Sequence, residues 1–229
     1  MTYTLPAPLA QFEQKVHSQN GEDGVIAAIF AAIPPASRHF VEFGVGPNWQ
    51  DPGYTLGLEA NCALLRAQGW TGLFMDGGAH PPQFDVKQEF ITPVNINGLL
   101  RKYETPQAVD VISIDVDGQD LWIWMACDYR PALYILEYNA NFPMLHQSVS
   151  IVYNPNHRWD GTKYFGASLG AMIKIGRDKG YKLVHANGAN AFFVRDDLLA
   201  NPQDFPDEAL NLAVDLHAAD HLQRMWMAI

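Results

Sequence analysis

The fold is decided by His39-Phe-Val-Glu-Phe-Gly-Val-Gly46 and, further along, Thr71-Gly-Leu-Phe-Met-Asp76. The first is a short apolar run that carries one inward acid, Glu42, and breaks at Gly44 and Gly46. It reads as a buried strand followed by a turn. The second is another apolar run that stops at a carboxylate. Between them Tyr54 to Gln68 reads as a helix. Glycine at the first strand's tip lets a backbone and a ligand approach closely, and an acid at the second strand's tip can accept both hydroxyls of a ribose.

The same alternation extends in both directions. Upstream, Ser18-Gln-Asn-Gly-Glu-Asp23 precedes the apolar run Val25 to Ile33, which Pro34-Pro35 closes, so a helix with a defined start and stop is expected. Downstream, Gln88 to Thr92 reads as a third strand and Asn95 to Tyr103 as its helix. Val109-Asp-Val-Ile-Ser-Ile-Asp115 is the clearest strand, closed by Asp115-Val-Asp117-Gly118. A short tryptophan-rich helix follows over Leu121 to Ala126, then a buried strand over Ala132 to Glu137. Ala167 to Lys179 is a helix with Gly180 as its C-cap. Tyr181 to His185 and Ala191 to Arg195 are strands joined through Asn187-Gly188 with no helix between them, so one of the two is antiparallel.

The expected fold class is therefore α/β: a Rossmann-like, seven-stranded, mostly parallel sheet with one antiparallel strand and helices on both faces. No repeat or linker divides the chain, and residues 1–229 read as one domain. Within it, 1–38 is an N-terminal helical segment, 138–165 a loop insertion on the substrate side, and 201–229 a helical tail. In that tail Leu222, Trp226 and Met227 form an apolar face suited to a homodimer or to packing on the same domain.

Composition narrows the function. A formal charge of −10 with no basic stripe argues against nucleic acid and anionic membranes as partners. No apolar run is long enough to span a bilayer, and the N-terminus lacks a signal pattern. Cys62 and Cys127 fall in segments that read as buried helices, which suits reduced thiols and a cytoplasmic location. There is no GxSxG, no Walker lysine and no paired Cys/His spacing, so hydrolase and NTPase readings fall away.

A dinucleotide fingerprint would need a small residue soon after Gly46, but the chain reads Pro47-Asn-Trp-Gln-Asp51. Pyrophosphate binding is disfavoured, and an adenosine ligand without phosphates, such as S-adenosylmethionine (SAM), fits better. Ser18 to Asp23, Phe40 to Gly44, Gly69-Trp-Thr-Gly-Leu-Phe-Met-Asp76, Asn95 to Leu100 and Val111 to Gly118 together resemble the FkbM-like branch of class I SAM-dependent methyltransferases. The resemblance implies that Glu42, Gly44 and Gly46 shape the methionine and sugar end of a SAM site. It implies that Asp76 holds the ribose and that Asp115 stands where cofactor and substrate meet. The turn from Gly46 to Asp51 is bulkier than that family's usual one, and Trp49 within it is a candidate pocket wall.

Acids stand at four expected strand tips: Glu42, Asp76, Asp115 with Asp117, and Glu137 with Asn139. Oxygen ligands from adjacent strand ends are how a hard divalent ion such as Mg²⁺ is held, and Asp115, Asp117 and Glu137 are the candidate ligands. The same acids would serve equally well as caps for backbone amides. Methyl transfer asks mainly for alignment and for a proton acceptor. The loop from Tyr138 to Phe165 offers His146 and His157, with Tyr153, Trp159, Asp160 and Tyr164 around them. His157 is the preferred base, beside Asp115 as the second catalytic candidate, and a structural histidine is the alternative. The expected function is methylation, on oxygen before nitrogen, of a small-molecule acceptor, one of secondary metabolism or one derived from a sugar or an amino acid. Two alternatives stay open: an enzyme that cyclises or cleaves SAM itself, and a non-catalytic partner subunit of the same fold.

Overall fold

The computed structural model describes residues 1–47, 58–142, 145–201 and 218–229. In chain order the elements are α1 (Glu22–Ala32), β1 (His39–Phe43), β2 (Gly46–Pro47), β3 (Leu58–Glu59), α2 (Ala63–Ala67) and β4 (Thr71–Asp76). There follow β5 (Val86–Gln88), α3 (Ile96–Lys102), β6 (Val111–Ile114), α4 (Asp120–Ala126) and β7 (Leu133–Glu137). The last are β8 (Val149–Ile151), α5 (Leu169–Lys179), β9 (Tyr181–Ala186), β10 (Asn190–Arg195) and β11 (Trp226–Ala228).

Seven strands form one sheet in the order β5-β4-β1-β6-β7-β10-β9. β10 runs antiparallel to both of its neighbours, and the remaining pairs are parallel. The reversal comes from the turn at Asn187-Gly188. Asn187 Oδ1 accepts the amides of Ala189 and Asn190, and Gly188 takes a φ of +91° that a side chain would resist.

Strand periodicity divides the core into two layers. In β1, Val41 and Phe43 pack with residues of α3, α4 and α5. Phe40 packs on the other face with α1 and the start of α2. Glu42 shares the face of Phe40, and that places its carboxylate at the start of α2. Trp124 is fully buried, with its ring against Tyr134, Tyr181 and Phe193. Both cysteines are buried and free.

Several expected boundaries move. The third strand lies at Val86–Gln88 and not at Gln88 to Thr92, because β4 ends at Asp76 and its last partner is Gln88. The chain then turns, with Asn95 Oδ1 accepting the Thr92 amide. The helix expected from Tyr54 is shorter: Leu58–Glu59 is extended and pairs with Gly46–Pro47, and α2 begins at Ala63. Trp49, Asp51 and Tyr54 lie outside the described residues.

The 138–165 loop contains a strand of its own, β8, which pairs with β11. In the described part of the tail, Trp226–Ala228 is a strand where a helix was expected, because β8 offers it backbone partners. Trp226 packs edge-on against Phe142 and Tyr164. Leu222, expected on the same apolar helix face, is 63% exposed. Residues 202–217 lie outside the described part. Among the described residues, no helix is long and apolar enough to cross a membrane.

Candidate functional site

Two adjoining cavities open at the carboxyl edge of the sheet, of about 410 and 450 Å³. Gly44, Asp76, Gly78, Asp115 and Asp117 line both. The first is completed by Gln19, Glu42, Gly46, Asn61, His80 and Asn190 among others. The second is completed by Phe90, Ile91, Gln119, His157, Arg158 and Trp159 among others.

The tip of β1 is built for close backbone packing. Gly44 has a φ of +73°, and a Cβ there would lie 1.4 Å from the Asp115 carbonyl oxygen. The sequence assigned this glycine to the approach of a ligand; it lines both cavities and also lets the backbone after β6 come close. Gly46 differs, because a Cβ on it would meet only the Glu59 carbonyl at 3.8 Å. Its missing side chain leaves cavity wall and relieves no crowding.

Glu42 is buried, and both of its oxygens are taken. Oε1 accepts the Asn61 amide at 2.7 Å and Oε2 the Cys62 amide at 2.8 Å. Burial raises its pKa to about 7 against the lowering effect of those two bonds. Asp76 closes β4 with Oδ1 accepting the Gly78 amide at 2.5 Å and lying 3.4 Å from His80 Nε2. The rest of that carboxylate faces the cavities.

The tips of β6 and β7 carry a denser group. Oxygens of Asp115, Asp120 and Glu137 all lie within 4.8 Å of one another. Asp120, in the first turn of α4, spends its oxygens on the turn itself: Oδ1 accepts the Val116 amide and Oδ2 the Gly118 amide. These bonds hold Asp117 in the left-handed region at φ 54°. Glu137 Oε2 is buried and finds no hydrogen-bond donor. Burial first, then mutual repulsion, lifts Asp115 and Glu137 well above the ordinary carboxylate range. Asp120 is raised by burial to about 7. The sequence-expected ligand set named Asp117; the close set contains Asp120 in its place. The reason is local: the left-handed turn carries Asp117 into the open cavities, while the first turn of α4 brings Asp120 inward. Asn139 does not join the set either. Its side chain binds the Lys163 and Phe165 carbonyls and anchors the long loop.

His157 reaches the second cavity from that loop. Gly118 makes room for it, since a Cβ on Gly118 would sit 2.7 Å from His157 Nε2. Burial and the Arg224 charge lower the imidazole pKa against the opposing pull of Asp160 and Asp117, which favours the neutral ring. Arg224 also ties the loop down, pairing with Asp160 and Asp220 and donating to Thr162 Oγ1. His146 is exposed and lines neither cavity.

Sequence reading missed Gln19, Asn61, Asp120, Asn190 and Arg158. For Gln19 a signal existed in Ser18 to Asp23. Asp23 Oδ2 accepts the amides of Val16, His17 and Ser18, and this fold of the chain sets Gln19 beside the cavity. Asn190 reaches it because Glu22 Oε1 holds its side-chain amide. Comparison with protein-family models, curated proteins and solved structures found no match.

Proposed function

We propose that this protein is a SAM-dependent methyltransferase of the class I type acting on a small-molecule acceptor, with oxygen as the preferred target. The observation that carries the reading is the position of the first cavity. It lies outside the carboxyl ends of β4, β1 and β6, where the chain winds away from β1 in both directions, and this is where open α/β sheets bind nucleoside ligands. The strand order, the single antiparallel strand and the sequence resemblance support the same reading. Asp76 takes the ribose hydroxyls, while Gly44, Gly46 and the Glu42 segment shape the wall beside the sugar and methionine. The second cavity receives the acceptor.

In that arrangement the chain's residues align and deprotonate. Asp115 faces both cavities and stands at the junction of donor and acceptor. His157, neutral near pH 7, is placed to take the acceptor's proton. The acid cluster fits a divalent cation by its donor set: three hard oxygen donors, mutual repulsion that a cation would relieve, and a buried Glu137 oxygen without a donor. Asp115, Asp120 and Glu137 would hold the ion, which when bound would acidify an acceptor hydroxyl.

Isothermal titration with SAM and S-adenosylhomocysteine, each with and without Mg²⁺ after EDTA treatment, tests the proposal. Micromolar binding is expected, weakened at least about tenfold in Asp76→Ala by loss of a charge-assisted bond pair. A protein that binds neither ligand in any condition is not a SAM enzyme.

A further inference from the structure

The charges lining the two cavities are unequal. Glu42, Glu59, Asp76, Asp115 and Asp117 line them, and Arg158 is the one Lys or Arg among the described lining residues. Arg158 is exposed, and its guanidinium lies 4.2 Å from the centroid of the Phe90 ring. One nitrogen, Nη1, donates to the His157 carbonyl at 2.7 Å. No carboxylate of the described residues pairs with it, although Asp160 nearby is engaged by Arg224. Stacking and the carbonyl bond fix the plane of the fork and leave its other donors free. A fork so held reads a planar carboxylate through two parallel hydrogen bonds.

The walls beside it are apolar and aromatic. Phe90 is 47% exposed and Trp159 41%, large values for rings standing at a cavity mouth. Ile91 lines the same cavity. A flat apolar body would cover these rings and remove that surface from water. Asp115, Asp117 and His157 line the same cavity and are the groups able to receive a proton.

We propose that the second cavity takes an aromatic carboxylate, its carboxylate on Arg158, its ring against Phe90 and Trp159, and its hydroxyl toward Asp115 and His157. This rests on the methyltransferase reading for its purpose, but the binding site stands on its own geometry. Asp115 and Asp117 in the same cavity disfavour a second negative charge beside them and so orient the ligand's carboxylate toward Arg158.

The test is isothermal titration with 4-hydroxybenzoate, 4-hydroxybenzyl alcohol, 4-hydroxyphenyl phosphate and 4-hydroxybenzylamine. Each is run on the whole protein with and without S-adenosylhomocysteine. Arg158→Gln and Arg158→Lys accompany the wild type; Arg158 is exposed, so both should fold. The expected result is that 4-hydroxybenzoate binds best and loses about tenfold or more in Arg158→Gln, with partial retention in Arg158→Lys. The alcohol should be weak in all three proteins. Equal binding of acid and alcohol, preference for the amine or the phosphate, no effect of Arg158→Gln, or no binding of 4-hydroxybenzoate at all would each overturn the proposal. Titration with S-adenosylhomocysteine alone reports separately on the cofactor reading. Loss of that signal with carboxylate binding intact would sink the methyltransferase and spare the site.

Discussion

Two glutamates end neighbouring parts of the same sheet, and their surroundings are opposite. Glu42 on β1 is buried with both oxygens bonded to backbone amides. Glu137 on β7 faces two other carboxylates and keeps one buried oxygen without a donor. The residue type and its place at a strand end are shared; the neighbours decide what each does. Glu42 caps the start of α2 and so fixes the wall of the first cavity. Glu137 contributes nothing of that kind, and its cluster is more stable with a cation or a shared proton than without.

The sharpest way to break this comparison is to remove each carboxylate in turn. Glu42→Ala leaves the Asn61 and Cys62 amides buried without partners, and opens a void besides. A loss of about 3 kcal/mol or more is expected, read as a drop in the denaturation midpoint with an unchanged slope. Glu137→Gln removes a repelling charge and should leave stability unchanged or raise it by about 1 kcal/mol when no divalent ion is present. If both variants lose equally, the two glutamates are structural in the same sense and the contrast is void.

Titration sharpens it further. Glu42 ionises near pH 7 in the fold and near 4.5 as a free side chain. The folded state therefore holds a proton that the unfolded state has lost, and stability falls as pH rises from about 4.5 to about 7. The Glu42 share is of order 3 kcal/mol, from about 1.4 kcal/mol for each pH unit of displacement. Asp115, Asp120 and Glu137, all raised, act with the same sign. Glu22 acts oppositely: its pKa is lowered by bonds from Asn190, Asn187 and backbone amides that outweigh its burial, so its contribution is lost as pH falls below its ordinary range. Urea unfolding followed across this window should show a falling curve that Glu42→Gln flattens. A curve that rises from pH 4.5 to 7 would contradict the assignment.

Divalent ions give a smaller effect confined to one side of the comparison. With Mg²⁺ at tenfold its dissociation constant, linkage predicts about 1.4 kcal/mol of stabilisation. It should appear in thermal melts of the wild type and of Glu42→Gln, and vanish in Glu137→Gln. Persistence in Glu137→Gln would place the ion elsewhere.

Much of this contrast was legible beforehand, and what was not has a physical reason. The positions of most strands followed from the apolar runs, because buried parallel strands must be continuous and apolar. The acids at the strand tips were legible for the same reason: a carboxylate ends an apolar run visibly. What a carboxylate touches was not. Glu42 meets the Asn61 and Cys62 amides, nineteen and twenty positions along the chain, and Asp120 replaces Asp117 through a single left-handed residue. The strand at Trp226–Ala228 was not legible because Trp226 and Met227 with Leu222 suit a helix locally, while β8 supplies pairing only in three dimensions. Arg158 escaped notice since a lone exposed arginine in a loop has no pattern at all; its meaning comes from the acids around it.

The smallest effect concerns that left-handed residue. Asp117 sits at φ 54°, a region that costs a non-glycine residue of order 1 kcal/mol, and it is followed by Gly118 at φ 134°. The strain is held by the Asp120 bonds to the amides of Val116 and Gly118 on either side. If Asp117 serves only as a turn residue, Asp117→Gly should stabilise the protein by up to about 1 kcal/mol and leave function intact. If its carboxylate faces the acceptor, as its place in both cavities implies, the same substitution should stabilise the fold and reduce turnover. Melting temperature and rate moving in opposite directions would separate the β6–β7 side, where strain and repulsion are kept, from Glu42 on β1, whose two carboxylate oxygens are both spent on the fold.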